Sequence, residues 1–166
     1  MNSLVLGAFL VAAPAPSTST VKDDLVPFDA KNYPLETLHA RRRRDPCGKG
    51  GELKDVLFSA ELRWHGEVAP TPAPDVELLR RWTKDIGDPE AVAKYAQLVS
   101  FSEGRRFERL AAPEGLLAFM EMDLLPGDRV ILYLVHVGCA EGRAVFAVDE
   151  YDVTEQDELE KDDELI

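Results

Sequence analysis

The apolar positions in the middle of the chain have helical spacing. Between residues 75 and 87 they form a stripe typical of an amphipathic helix. The members of this stripe are Val76, Leu78, Leu79 and Trp82. Asp75 is a favourable N-cap for such a helix, and Gly87 is a favourable stop. The run Asp88-Pro89-Glu90 then restarts a helix, with proline at its first position. The pattern predicts a helical hairpin over residues 75–96.

The residues before this hairpin also favour helix, with less regularity. A short helix is predicted from Pro34 to the glycine-rich run 48–51. Residues 52–65 match both helical spacing and strand alternation, and we interpret them as a helix. Three prolines make residues 66–74 a predicted loop. We therefore expect a helical part over residues 33–96.

From residue 97 the pattern changes to the one typical of strands. Four segments alternate or are rich in β-branched and apolar residues. These segments are 98–101, 105–110, 129–137 and 143–151. Gly104 is placed for a hairpin turn, and residues 111–125 have a helical pattern. We expect an α+β protein whose N-terminal helices pack on a small antiparallel β-sheet or an SH3/OB-like barrel over about residues 97–151, within a β-rich part 97–153.

Charge is concentrated at the end of the sequence. The chain has 19 basic and 31 acidic residues and a net charge of −12. Ten of the acids and one base lie between Asp149 and Ile166. Residues 154–166, the acidic tail, offer little apolar surface to bury, so we expect them to be solvated and disordered. A cation-binding or partner-mimicking tail is the alternative. This balance argues against a nucleic-acid partner, which needs cations to neutralise phosphates.

The strongest basic feature is the run of four arginines Arg41, Arg42, Arg43 and Arg44. Four consecutive residues cannot share one face of a helix, so some of them are expected to face water. The run is a candidate interaction site. We interpret it as a solvated turn or as a partner for the acidic tail. A phosphate or heparin patch, a processing site and a localisation signal are the alternatives.

The first residues resemble an export signal. Residues 4–13 are apolar or small, and small residues and prolines follow them. This apolar run is too short to span a bilayer, which takes about 20 residues. We interpret residues 1–19 as a signal peptide, which leaves a single domain over 20–153 and no stable membrane span after cleavage. The predicted location is periplasmic or secreted; the alternative is a cytoplasmic protein with a buried first strand.

Export changes the interpretation of the two cysteines. Cys47 and Cys139 are the only ones in the chain. An even pair in an oxidising compartment is a candidate disulfide. Cys47 lies in a turn-rich stretch whose backbone can adapt to the geometry of a bridge. Two unconnected thiols, with Cys139 buried, are the alternative.

Motifs that carry catalysis or bind cofactors are absent from the sequence. There is no nucleophile elbow, no His-Glu-x-x-His and no paired Cys-x-x-Cys, so we predict no catalytic residue, cofactor or metal. His136 replaces an aliphatic residue in a predicted strand and is interpreted as a hydrogen-bonded histidine at its rim. Trp64 and Trp82 are predicted core anchors, with an exposed binding groove as the alternative.

These features favour an exported bacterial protein that acts as a non-catalytic binding or interaction module of the cell envelope. Its strong acidity suits a basic protein partner. The most specific version is an acidic inhibitor or immunity-type protein for a basic partner. The alternative from another class is a small hydrolase that uses a carboxylate pair, either Glu121 with Asp123 or Asp149 with Glu150.

Overall fold

A computed structural model describes residues 28–44, residue 47 and residues 56–154. The predicted signal peptide 1–19 and most of the acidic tail lie outside these residues. The described helices and strands are α1 Leu38–Arg43, β1 Val56–Pro70, α2 Ala73–Asp85, β2 Gln97–Glu103, β3 Arg106–Ala112, α3 Glu114–Asp123, β4 Arg129–Ala140 and β5 Arg143–Val153. Two 3-10 helices, Ala30–Asn32 and Pro89–Tyr95, complete the set. The α+β class predicted from the sequence is confirmed.

The five strands form a closed barrel in the order β1-β2-β3-β5-β4. Neighbouring strands are antiparallel except β3 and β5, which pair in parallel through Ala111 and Ala147. Strand β1 pairs with both β2 and β4, and its register with β2 shifts between Trp64 and Val68. Such an irregularity bends a strand. The bend lets one long strand take part in closing the barrel.

Strand β1 corrects our interpretation of residues 52–65 as a helix. From Ala60 to Trp64, buried residues alternate with the exposed residues Glu61 and Arg63. Alternate side chains of a strand point to opposite faces, so the apolar set fills the barrel interior. The strand also continues to Pro70, through part of the predicted loop. The helical part expected over 33–96 is therefore interrupted by a strand.

Of the two helices predicted for the hairpin over residues 75–96, only the first is an α-helix. Helix α2 is present, but its N-cap is Pro72 rather than Asp75, which lies within the first turn and is buried. Residues 89–95 form a 3-10 helix instead of an α-helix. Leu78 and Leu79 of α2 pack on the outer side of the barrel against apolar residues of β2–β5. These contacts hold α2 and the following 3-10 helix beside the barrel.

The predicted elements of the second half are present with shifted bounds. The hairpin of β2 and β3 turns at Gly104, whose φ of 58° suits glycine. Helix α3 lies within the predicted 111–125, and its residues Leu117 and Met120 pack in the barrel interior together with the C-cap residue Leu124. Strand β4 is buried along almost its whole length, because its outer face is covered as well.

Candidate functional site: an aromatic cavity beside the barrel

A cavity of about 560 Å³ lies where α2 and the 3-10 helix meet the outer side of the barrel. Three aromatic side chains line it: Tyr33, Trp82 and Tyr95. Two carboxylates, Asp88 and Asp149, line it as well. The remaining lining residues are Leu57, Ile86, Ala91, Lys94, Pro113, Val135, Ala147 and Val148. We call this site the aromatic cavity.

The aromatic pair on the helical side is fixed by local contacts. The rings of Trp82 and Tyr95 pack edge to face with centroids 5.9 Å apart. The hydroxyl of Thr71, at the end of β1, donates a hydrogen bond to the carbonyl oxygen of Tyr95 at 2.8 Å. The backbone N–H of Thr71 also donates to the carbonyl of Ala96 at 3.0 Å. These bonds tie the end of the 3-10 helix to the barrel and hold Tyr95 in the wall.

Tyr33 closes the cavity from the opposite direction. Its hydroxyl donates a hydrogen bond to the carboxylate of Asp149 on β5. Its ring packs against Phe28 and Tyr133, with both centroid distances 5.4 Å. Its carbonyl oxygen accepts a hydrogen bond from the hydroxyl of Ser59 on β1 at 3.0 Å. A segment that precedes α1 is thereby fixed against β1, β4 and β5.

The side chains that line the aromatic cavity carry two carboxylates, Asp88 and Asp149, against one ammonium group, that of Lys94. Burial, followed by the charges of Asp149 and Asp88, raises the pKa of Tyr95 to about 12. Burial also raises the pKa of Tyr33, and the hydrogen bond to Asp149 adds to this effect. Asp149 therefore raises the pKa of both tyrosines, and Asp88 raises that of Tyr95. Aromatic faces and carboxylates together stabilise a cation, above all one that has lost part of its hydration.

The two carboxylate pairs proposed from the sequence do not converge. Glu121 and Asp123 are exposed on α3, two residues apart, a spacing at which helical side chains do not face each other. Asp123 accepts a hydrogen bond from the Tyr151 hydroxyl at 2.7 Å. Asp149 lines the aromatic cavity, whereas Glu150 lines a separate groove beside α3. Asp88 and Asp149 lie together in the aromatic cavity, and Asp123, Glu150 and Asp152 line the groove beside α3.

The predicted disulfide is confirmed. The sulfur atoms of Cys47 and Cys139 are 2.07 Å apart, and their Cα atoms are 5.7 Å apart. The bridge joins residues 92 positions apart in the sequence. It attaches the chain between α1 and β1 to the end of β4.

The arginine run is not a solvated turn. Arg41 is buried, pairs with Glu36 at 2.8 Å and stacks over the ring of Phe58. Arg42 pairs with Glu108 at 2.8 Å. It also donates to the carbonyl of Ala144 and stacks over Phe146. Arg44 reaches Glu36 at 3.3 Å, and Arg43 is exposed. The described partners of the run are carboxylates of the folded domain, and Arg41 and Arg42 hold α1 to the barrel. The predicted pairing with the acidic tail lies outside the described residues.

The two tryptophans differ in environment. Trp64 is 2% exposed and packs edge to face on Phe101 inside the barrel, so it is a core residue. Trp82 is half-buried and lines the aromatic cavity. His136 is fully buried against Phe146, with ring centroids 5.3 Å apart, rather than at the rim of its strand. Of these candidates, only Trp82 belongs to the cavity.

Three cavity residues were missed by sequence reasoning. Tyr33 directly precedes the short helix predicted from Pro34, and Tyr95 falls within the predicted helical hairpin over 75–96. Asp88 begins the run Asp88-Pro89-Glu90, which predicts the start of a helix and therefore a cap. It does occupy the N-cap position of the 3-10 helix, but its side chain makes no capping hydrogen bond. The sequence places a carboxylate at this cap position, but only the structure shows that it makes no capping hydrogen bond.

The described part of the chain contains neither a metal-ligating cluster nor a membrane-spanning helix. No cluster of three or more potential metal-ligating side chains occurs among residues 28–44, 47 and 56–154. No described helix is long and apolar enough to cross a membrane. Comparison with protein-family models finds no matching family, and comparison with curated proteins finds no matching sequence.

Proposed function

We propose that this protein is an exported, non-catalytic binding module that takes a cationic side chain of a basic protein partner into the aromatic cavity. The observation that carries the proposal is the placement of two carboxylates among three aromatic rings in one cavity. Its size lies within the range of about 300–1,000 Å³ typical of ligand sites. The apolar walls suit the aliphatic stem of a lysine or arginine, and the carboxylates suit its charged end.

The charge of the whole chain supports the same partner. A net charge of −12 attracts basic proteins and raises their encounter rate. Within the cavity, Lys94 is the one basic side chain among the lining residues of the described structure. Long-range attraction and the local potential therefore favour the same sign of ligand. An inhibitor or immunity-type protein for a basic partner is the most specific form of this function.

We further propose that the barrel is OB-like. Five strands closed in the order β1-β2-β3-β5-β4 match the five-stranded barrel of that class. OB-like barrels serve as binding scaffolds, which is compatible with a module of this kind. The likeness concerns architecture alone, so the assignment of function depends on the cavity.

Export to the periplasm or the exterior is the setting that we propose. The disulfide between Cys47 and Cys139 supports it, because structural disulfides persist in oxidising compartments. The apolar run over residues 4–13 and the small residues after it support it independently. Mass spectrometry of the protein recovered from cells tests both points, since it measures cleavage and the oxidation state together.

A carboxylate-pair hydrolase is the second candidate, and one observation favours it. Asp88 and Asp149 lie in the same cavity although 61 positions separate them in the sequence (149 − 88). A hydrolase of this type needs two carboxylates with different protonation states. Asp149 already accepts the hydroxyl of Tyr33, which favours a structural and binding role for this carboxylate.

The test is a titration of the full chain with two probes of the same shape. N-acetyl-lysine methylamide carries the cation, and N-acetyl-norleucine methylamide is its uncharged analogue. Trp82 reports binding by its fluorescence, since Trp64 is buried in the core. We expect the lysine probe alone to change the emission. Equal binding of both probes, or of neither, contradicts the proposal. Cleavage of the lysine probe, detected by mass, supports the hydrolase.

A further inference from the structure

A row of residues crosses four strands of the barrel at one level. Arg129 on β4 pairs with Arg63 on β1, which pairs with Ser102 on β2, which pairs with Phe107 on β3. Arg63 and Arg129 are exposed and adjoin buried residues of the interior, so the row points outward. Arg109 lies two residues beyond Phe107 on the same side of β3. We call Arg63, Phe107, Arg109 and Arg129 the arginine face.

The arginine face combines positive charge with an exposed aromatic ring. Phe107 is 74% exposed, and its ring packs against the ring of His65 on β1, with centroids 5.0 Å apart. Arg63 donates to the carbonyl oxygen of Gly127 at 3.1 Å, which leaves its charge uncompensated. Arg129 is the exception, since Glu61 lies 3.3 Å from it. Within the described ranges no carboxylate lies at ion-pair distance from Arg63 or Arg109.

The sequence offers a complementary segment close to this surface. Residues 155–166 of the acidic tail contain seven acids and one base, with Leu159 among the acids. Thr154, the residue before this segment, lies next to the arginine face, because its backbone N–H donates to the carbonyl of Arg129 at 3.1 Å.

The length of the segment is sufficient to cover the face. Phe107 lies four strand spacings from Thr154 along the sheet, about 19 Å. Twelve extended residues reach about 40 Å. The segment can therefore cross the whole face and turn back.

We propose that residues 155–166 dock on the arginine face of their own barrel. Their carboxylates pair with Arg63 and Arg109, and Leu159 covers part of Phe107. Each exposed ion pair contributes little alone, but a tether supplies an effective concentration of about 1 mM or more, which populates a weak contact. The docked segment is a built-in competitor that any external polyanion has to displace. The inference is independent of the aromatic cavity.

The experiment compares backbone amide NMR spectra of the full chain with those of a full-length tail-neutral variant. Five acids are replaced in that variant: Asp157→Asn, Glu158→Gln, Glu160→Gln, Asp162→Asn and Asp163→Asn. We expect the amide signals of Ser102, Phe107 and Arg109 to shift between the two proteins. Raising salt from about 0.01 M to about 1 M shortens the screening length from about 30 Å to about 3 Å and should move the wild-type signals toward those of the variant.

A peptide of residues 155–166, added to the tail-neutral variant, restores the contact in trans. Arg63→Ser combined with Arg109→Ser should weaken its binding about fivefold to tenfold. Arg81→Ser is the matched control, because Arg81 is an exposed arginine on α2; it should leave the affinity unchanged. Signals that change only within the tail overturn the proposal. So does a face that responds to added heparin but neither to tail neutralisation nor to the peptide, since its occupant is then an external polyanion.

Discussion

The hydroxyl of Tyr33 donates a hydrogen bond to the carboxylate of Asp149, although 116 positions separate the two residues in the sequence. This bond joins the segment before α1 to β5 at the edge of the aromatic cavity. The cavity is thus assembled from distant parts of the chain: the segment around Tyr33, the helical insertion between β1 and β2, and the strands β4 and β5, with Leu57 of β1 and Pro113 after β3. None of these parts forms a site alone.

Four tyrosines predict a loss of stability at alkaline pH. Burial and neighbouring carboxylates raise the pKa of Tyr95 and Tyr151 to about 12, and the hydrogen bond to Asp152, with burial, raises that of Tyr133 to about 12. The pKa of Tyr33 is raised as well, mainly by burial. Because the folded state holds these protons more tightly, their contribution is complete below pH 10 and is lost as the pH rises through 12. Urea unfolding from about pH 9 to about pH 11.5 measures it. A constant free energy of unfolding over this range contradicts the assignment.

The disulfide predicts a large difference between oxidised and reduced protein. Closing a loop of 92 positions stabilises a chain by about 4–5 kcal/mol in the chain-entropy model. We expect Cys47→Ala with Cys139→Ala to lower the free energy of unfolding by up to that amount. Urea unfolding of the double variant, beside wild type with and without reductant, measures the effect. A reductant-treated wild type as stable as the oxidised one would show that the bridge contributes nothing.

The arginine run predicts opposite outcomes for neighbouring residues. Arg41 is 6% exposed, stacks on Phe58 and pairs with Glu36, so Arg41→Ala should cost about 2–3 kcal/mol of stability. Arg43 is exposed, and Arg43→Ala should change stability by less than about 0.5 kcal/mol. Thermal or urea unfolding compares the two. Similar effects for both variants would mean that the run is a solvated patch after all.

The ion pair between Asp75 and Arg143 predicts unequal losses of stability when one partner or the other is replaced. The Asp75 side chain is 2% exposed and the Arg143 side chain is 48% exposed, with 2.8 Å between their atoms. Arg143→Gln leaves a buried carboxylate without its cation, whereas Asp75→Asn leaves an exposed guanidinium in water. Arg143→Gln should therefore lower the free energy of unfolding by about 1–3 kcal/mol more than Asp75→Asn does. Urea unfolding of both variants at neutral pH measures these free energies. A larger loss for Asp75→Asn would contradict the prediction.

The sequence predicts the elements of this fold best where one periodicity applies. Strands β4 and β5, helix α2 and the hairpin at Gly104 follow from local patterns. Residues 52–65 satisfy two periodicities at once, and only the partner strands β2 and β4 select the strand. A local pattern contains no information about those partners, so the first strand of the barrel was missed.

The candidate site depends even more on contacts between distant residues, which a local sequence pattern does not contain. The cysteine pair could be predicted because the chain has only two cysteines and the pairing needs no knowledge of the fold. Tyr33, Asp88 and Asp149 come together only through the closure of the barrel and the packing of the insertion on it. Arg42 meets Glu108, 66 positions away, only through the packing of α1 on the barrel, whereas Arg41 pairs with Glu36 five positions away. Adjacency in the sequence suggested a patch, whereas tertiary packing buries Arg41 and partly buries Arg42.

If the carboxylates of the aromatic cavity bind a cation, Asp149→Asn should weaken that binding, because it removes the charge of one of them. The new amide oxygen still accepts a hydrogen bond from Tyr33, so the geometry is kept while the charge is removed. Asp85→Asn is the matched control, since Asp85 is exposed on α2 and does not line the cavity.

Fluorescence titration with N-acetyl-lysine methylamide compares the two variants with wild type. We expect about a tenfold loss of affinity for Asp149→Asn, about 1.4 kcal/mol, and little change for Asp85→Asn. Equal affinities for both variants and wild type would contradict the account, because the cavity charge would then play no part in binding.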